Sequence, residues 1–294
     1  MERISRRKLL QSAACGAAMF GLSGNLFSQD EKSMEKKFEK SENFKGNIRQ
    51  SVSKWCFGKI PYEEFCGICA RMGMVGIDLV MPEDWKTVAD HGMIVTMGSL
   101  PDVTIETGFN RVENHDKLVA VYEKYIPMAA DLKVPNVICM SGNRAGLDDE
   151  TAIANCVTGL KRVMPLAEKY GVNVMMELLN EYDHTDYQCS HVAWGAKVCE
   201  GIGSQRFRLL YDIYHMQRME GEIIGNIRKY RECIGHYHTG GNPGRNDIDD
   251  TQELYYPAIM RAILETGFSG FVAHEFIPKN GLESLYNAVL TCDV

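Results

Sequence analysis

Between residues 49 and 294 the chain alternates eight times between a short apolar run and a longer amphipathic stretch, and few folds accept that pattern. The short runs, rich in β-branched residues, read as strands. The longer stretches place apolar residues at three- and four-residue spacing and read as helices. Regular alternation of the two is the signature of parallel βα units. The predicted strands are Arg49 to Trp55, Gly76 to Val80, Ile94 to Gly98, Asn136 to Met140, Asn173 to Glu177, Phe207 to Asp212, Ile234 to Thr239 and Gly270 to Glu275. The predicted helices are Tyr62 to Met72, Trp85 to His91, Asn114 to Leu132, Asp149 to Tyr170, Ser190 to Ile202, Ile223 to Cys233, Tyr256 to Thr266 and Gly281 to Leu290. Gly73, Gly171 and Gly267 follow three of these helices, where glycine supplies the left-handed cap. A barrel of this kind takes about 250 residues, so 294 residues hold one barrel and an N-terminal extension. The expected fold is α/β, a single (β/α)8 TIM barrel over residues 48–294.

Four of the runs in the C-terminal half end in residues that packing does not explain. VNVMMEL reaches Glu177, FRLLYDIYH reaches Asp212, IGHYHTG reaches His238 and GFVAHEF reaches Glu275. One such acid is as readily a salt bridge or helix cap. Four on consecutive strands argue for a site, because a parallel barrel gathers its functional groups at the carboxyl ends of the strands. Three carboxylates and one imidazole form a hard, oxygen-rich set suited to Mn2+, Mg2+ or Co2+ rather than to structural zinc. Such an ion polarises carbonyl and hydroxyl oxygens and stabilises an enediolate. Glu177 and Glu275 are also long enough to exchange a proton with a substrate carbon.

Flanking residues extend the candidate site. His215, three residues past Asp212 and read here as lying in a loop, could donate a hydrogen bond to an oxyanion. Arg245, in the loop HTGGNPGR, offers a fork for a substrate carboxylate or hydroxyl pair. Asp183, in the loop after Glu177, could orient a substrate hydroxyl. By strand alternation His236 shares the facing of His238, whereas His274 faces opposite to Glu275 and is expected to pack among helices.

Composition narrows the alternatives. A net charge of -7 and the lack of an interior basic run argue against nucleic acid as a partner. Ten cysteines at irregular spacing in a chain this large read as buried thiols rather than staples, and Cys66 and Cys69 fall on the apolar face of a predicted helix. The opening SRRKLL, followed by an apolar run to Phe27 diluted by glycine and serine, reads as a twin-arginine export signal over residues 1–28. It implies the twin-arginine translocase as a partner and the periplasm as destination. Residues 29–47, with alternating charge and few apolar side chains, read as a solvated linker.

In the pieces YDIYHMQRMEGE, GHYHTGGNPGR and ELYYPAIMRAILETGFSGFVAHEF, the chain resembles the hydroxypyruvate isomerase family of xylose isomerase-like TIM barrels, which are related to ketose 3-epimerases. The resemblance implies that Glu177 and Glu275 act as the acid/base pair. It implies that Glu177, Asp212, His238 and Glu275 hold the metal, and that His215 and Arg245 touch substrate oxygens. The implied reaction is an aldose-ketose isomerisation through a cis-enediol, as in hydroxypyruvate to tartronate semialdehyde. With histidine at position 238, the ligand set is similar to that of the sugar epimerases. A 3-epimerase, a dehydratase or lyase on a periplasmic sugar derivative, and a non-catalytic sugar-binding protein are the alternatives. The helices near the carboxyl face leave room for a homo-oligomer.

Overall fold

The computed structural model describes residues 38–294. The export signal and the first part of the linker lie outside the described residues. Lys40 to Val294 form one compact unit.

All eight expected strands are present, most of them shorter at the ends: β1 Gln50–Ser53, β2 Gly76–Asp78, β3 Ile94–Val95, β4 Asn136–Cys139, β5 Asn173–Glu177, β6 Phe207–Asp212, β7 Ile234–Thr239 and β8 Phe271–His274. They pair in parallel in the order β3-β2-β1-β8-β7-β6-β5-β4. The seam between β3 and β4 is closed by Gly98. Its amide donates to the Asn136 carbonyl at 2.8 Å, and its carbonyl accepts from the Ile138 amide at 3.0 Å. Glycine is required there because a Cβ would meet the Trp85 ring at 2.6 Å. The result is a (β/α)8 barrel.

Nine α-helices follow in the described residues: α1 Tyr62–Arg71, α2 Trp85–Asp90, α3 His115–Asp131, α4 Asp149–Tyr170, α5 Val192–Ile202, α6 Ile213–Met219, α7 Ile223–Lys229, α8 Tyr256–Glu265 and α9 Leu282–Cys292. Helix α4 shows how the ends are set. Asp148 accepts from the Thr151 amide at 2.9 Å, and Gly171 closes the helix at φ 73°. Gly73 and Gly267 also have positive φ, 94° and 79°. Helix α6 was not expected. Its first turn contains His215, which therefore sits on a helix rather than in a loop.

The stretch read as a solvated linker is docked where it is described. The amides of Lys45 and Gly46 donate to the two oxygens of Asp293 at 2.7 and 2.8 Å, and Asn47 Nδ2 donates to the Val294 carbonyl at 2.9 Å. The compact unit thus begins ahead of Ile48, because two successive amides grip a carboxylate at the chain's other end. Cys66 and Cys69 are fully buried on α1, as expected of packed thiols.

Candidate active site at the carboxyl end of the barrel

The four strand-end residues meet. One ligand atom each from Glu177, Asp212, His238 and Glu275 lies within 4.8 Å of the others, and all four residues are buried. Strands β5 to β8 are consecutive neighbours in the sheet, so each contributes one of the four at its carboxyl end or just beyond it. His238 Nδ1 is 2.6 Å from Glu275 Oε2, 3.5 Å from Glu177 Oε1 and 4.0 Å from Asp212 Oδ2. These atoms are held together by charge rather than by directed hydrogen bonds. Glu177 Oε1, His238 Nδ1 and Glu275 Oε2 are all buried without a well-aligned partner. Orphaned polar atoms of this chemistry facing one point are what a divalent cation would satisfy, so the residues fit the hard ion expected from their donor set.

Burial opposes charge on Asp212, His238 and Glu275, and the neighbours decide which of them keep it. Burial would raise the Glu275 carboxyl, but Arg245 and His238 outweigh it and hold the group well below the usual range. Burial would lower His238, but Glu275, Asp78 and Glu177 outweigh it and raise the imidazole well above its ordinary value. Asp212 is pushed up to about 7, by burial first and then by Glu275 and Glu177, with Arg245 and His238 opposing. Arg245 NH2 spans the two acids, 3.3 Å from Asp212 Oδ2 and 2.8 Å from Glu275 Oε2. Its guanidinium lies over Trp55 and Tyr214, with ring centroids 5.4 and 5.6 Å away.

Asp212 has a second task. Its Oδ1 accepts from the His215 amide at 3.1 Å and so caps α6. The His215 ring is oriented from the other side, where the Asn180 amide and Asn180 Nδ2 lie 3.2 and 2.5 Å from Nδ1. A backbone amide can only donate, so Nδ1 is the acceptor. Burial, aided by Arg245, lowers the imidazole well below its usual range and keeps it neutral. The proton is therefore on Nε2, which is buried without a partner and 3.6 Å from Asp212 Oδ2.

A cavity of about 220 Å³ opens over this cluster. Glu177, Glu275, His215, Arg245 and His184 line its polar side; Leu79, Val103, Ile105, Ile138, Met140 and Leu179 line the rest together with Ser99, with Trp55 at the rim. Asp183 is not part of the lining. Its carboxylate accepts from Tyr214 OH at 2.7 Å, Asn180 Nδ2 at 2.9 Å and Arg218 NH1 at 2.5 Å, which braces the loop that orients His215. His274 lies outside the lumen as expected, between Thr239 Oγ1 at 2.9 Å and Gln50 Oε1 at 2.8 Å.

Sequence reasoning missed three participants. Asp78, at the end of β2, reaches His236 and His238, but in the sequence it lies inside the run Gly76 to Val80 rather than at its close. Trp55 donates from Nε1 to Glu275 Oε1 at 2.6 Å, and His184 packs its ring 5.3 Å from that of His215. Neither carries a sequence signal.

A barrel with this ligand set defines a class, and comparison with known proteins places the chain in it. The model of the xylose isomerase-like TIM barrel family matches residues 58–289, and the chain belongs to that family. It is 25% identical over 242 residues to the hydroxypyruvate isomerase of Escherichia coli (strain K12), covering 78% of this chain and 92% of that one. It is 29% identical over 115 residues to the 2-oxo-tetronate isomerase of Cupriavidus necator, covering 39% of this chain and 44% of that one. The structure of the D-psicose 3-epimerase from Clostridium cellulolyticum H10, solved with D-tagatose, superposes with a TM-score of 0.64 at 17% identity, covering 82% of this chain and 90% of that one. At that identity the likeness speaks for the fold. The sequence relatives point to an isomerase.

Proposed function

We propose that the protein is a metal-dependent isomerase that interconverts a small hydroxy-keto acid, of the hydroxypyruvate type, through a cis-enediolate. The observation that carries this reading is the convergence of Glu177, Asp212, His238 and Glu275, with both glutamates also lining the cavity. The four residues would hold Mn2+, Mg2+ or Co2+, and the bound ion would supply the Lewis acidity that makes a proton beside a carbonyl removable. The rest of the chemistry belongs to the chain. One of Glu177 and Glu275 takes the proton from carbon and one of them returns a proton to the neighbouring carbon, while the hydroxyl proton passes between the two cis oxygens to the former carbonyl oxygen, so the carbonyl moves with no net gain or loss of protons. His215 Nε2–H donates to the oxygen on which negative charge builds. A neutral imidazole does so without surrendering its proton outright. Arg245 presents positive charge to the substrate carboxylate.

The cavity's apolar wall supports a short substrate. Ser99 is the one polar side chain on that wall, so hydroxyls of a free ketohexose that fall against Ile105, Ile138 and Met140 would cost about 1–3 kcal/mol for each left unpaired. A three- or four-carbon keto acid keeps its polar atoms on the charged side. The runner-up is a ketose 3-epimerase, favoured by the presence of His238 in a complete ligand set. The two differ in product: one moves the carbonyl, the other inverts a carbinol centre.

The test is incubation of the metal-loaded protein with hydroxypyruvate and a panel of ketoses in deuterated water, followed by NMR. Deuterium should enter carbon beside the carbonyl. Glu177→Gln and Glu275→Gln should each slow that exchange by about 10²–10⁴-fold. No exchange with any of these compounds would remove the isomerase reading. We further propose export by the twin-arginine translocase to the periplasm, on the strength of SRRKLL and the apolar run after it. Replacing Arg6 and Arg7 by Lys should leave the protein in the cytoplasmic fraction.

A further inference from the structure

Asp78 is a buried acid in the lumen of the barrel, and the chemistry above gives it nothing to do. It closes β2, yet it reaches β7, which is not a neighbour of β2 in the sheet. Its two oxygens are divided. Oδ1 lies 3.0 Å from His238 Nε2, and Oδ2 lies 3.0 Å from His236 Nε2. Thr96 Oγ1, just past the end of β3, donates to Oδ2 at 2.6 Å and is itself 3.0 Å from Ser51 Oγ on β1. All five side chains are fully buried. The consequence for His238 is geometric. Its Nε2 faces Asp78 and its Nδ1 faces the three carboxylates of the site, so the ring is pinned from behind.

We infer that Asp78 is a positioning residue that fixes His238 with its proton on Nε2, so that the Nδ1 lone pair is aimed at the metal position, while Thr96 holds the carboxylate in place. This role rests on the metal reading of the site. A carboxylate behind a ligating imidazole sets the tautomer, restricts rotation and makes the ring a better donor. Asp78, His236 and His238 are also close enough to suggest a second ion. Oδ1 is hydrogen-bonded to His238 Nε2, whereas His236 Nε2, 3.0 Å from Oδ2, is buried without an aligned partner, so the clamp acts on His238 and the test below counts the ions bound.

The test compares wild type with Asp78→Asn, which keeps the shape and one acceptor oxygen but removes the charge. Mn2+ binding is followed by the EPR signal of the free ion. Asp78→Asn should bind about 10–100-fold more weakly. In 15N-histidine NMR of the Mg2+-loaded wild type, His238 should carry its proton on Nε2, a signature that would change in the variant. If the variant fails to fold, the wild-type spectrum alone decides: a proton on Nδ1 overturns the proposal. A folded variant that binds Mn2+ as tightly as wild type overturns it too. So does a second Mn2+ equivalent that binds wild type and is lost in the variant with the first unchanged. Wild type that binds no Mn2+ overturns the metal reading itself, an outcome distinct from these.

Discussion

Arg245 and His215 show how single side chains serve the site through constraint as much as through reach. Arg245 holds a positive φ of 55° in its loop and touches two acids and two aromatic rings at once. Lysine would bring one compact charge and no plane to stack. Arg245→Lys should therefore raise KM for an anionic substrate by roughly 10-fold or more, which steady-state kinetics will read. In the proposed reaction His215 acts through one proton on one nitrogen. His215→Ala should lower kcat by about 10²–10³-fold with a smaller change in KM, as loss of an oxyanion donor does. The four clustered residues were legible in the sequence because each is a polar residue that closes an apolar run. Asp78 lacked that mark, since the apolar run read as Gly76 to Val80 continues past it. Trp55 and His184 carried none, since an aromatic after a strand or a histidine in a loop is assigned to a site only by three-dimensional neighbours.

At the scale of elements, closure of the barrel depends on a residue outside any strand. Gly98 alone bridges Val80 on one side and Val137 on the other. Gly98→Val would drive its branches into Trp85 and should destabilise the fold by about 1–3 kcal/mol, measured by urea denaturation. The strands were readable because hydrophobic runs bounded by turn residues survive without tertiary knowledge. Their ends were not, since hydrophobicity continues after pairing stops: Ile94 to Gly98 is one apolar run, but only Ile94–Val95 lies in the ladder. Helix α6 was invisible for another reason. Seven residues are too few to show a helical period, and only its cap, Asp212, marks its start.

For the whole molecule, two linked equilibria follow from what is buried. His274 is fully buried, and burial lowers its imidazole to about 3. Between pH 6.5 and about 3 the unfolded chain therefore binds a proton that the folded chain refuses, so this residue makes stability fall as pH drops through that window. His274→Gln should flatten that slope, seen by comparing denaturation midpoints at neutral and acid pH. The other equilibrium follows from the proposed metal site. A ligand at 100 times its Kd adds about 2.7 kcal/mol to the folded state. Removing divalent ions with a chelator should then lower Tm by a few degrees, and Glu177→Gln should abolish the difference.

The chain has three tryptophans, and Trp85 and Trp194 are buried while Trp55 is 46% exposed, with its indole hydrogen-bonded to Glu275. Nature has thus placed an optical reporter at the entrance of the cavity. Iodide in solution should quench emission from that one indole and leave the other two bright. A molecule that enters above Glu275 should shield the ring and shift its colour, so occupancy can be followed in native protein before any product is identified.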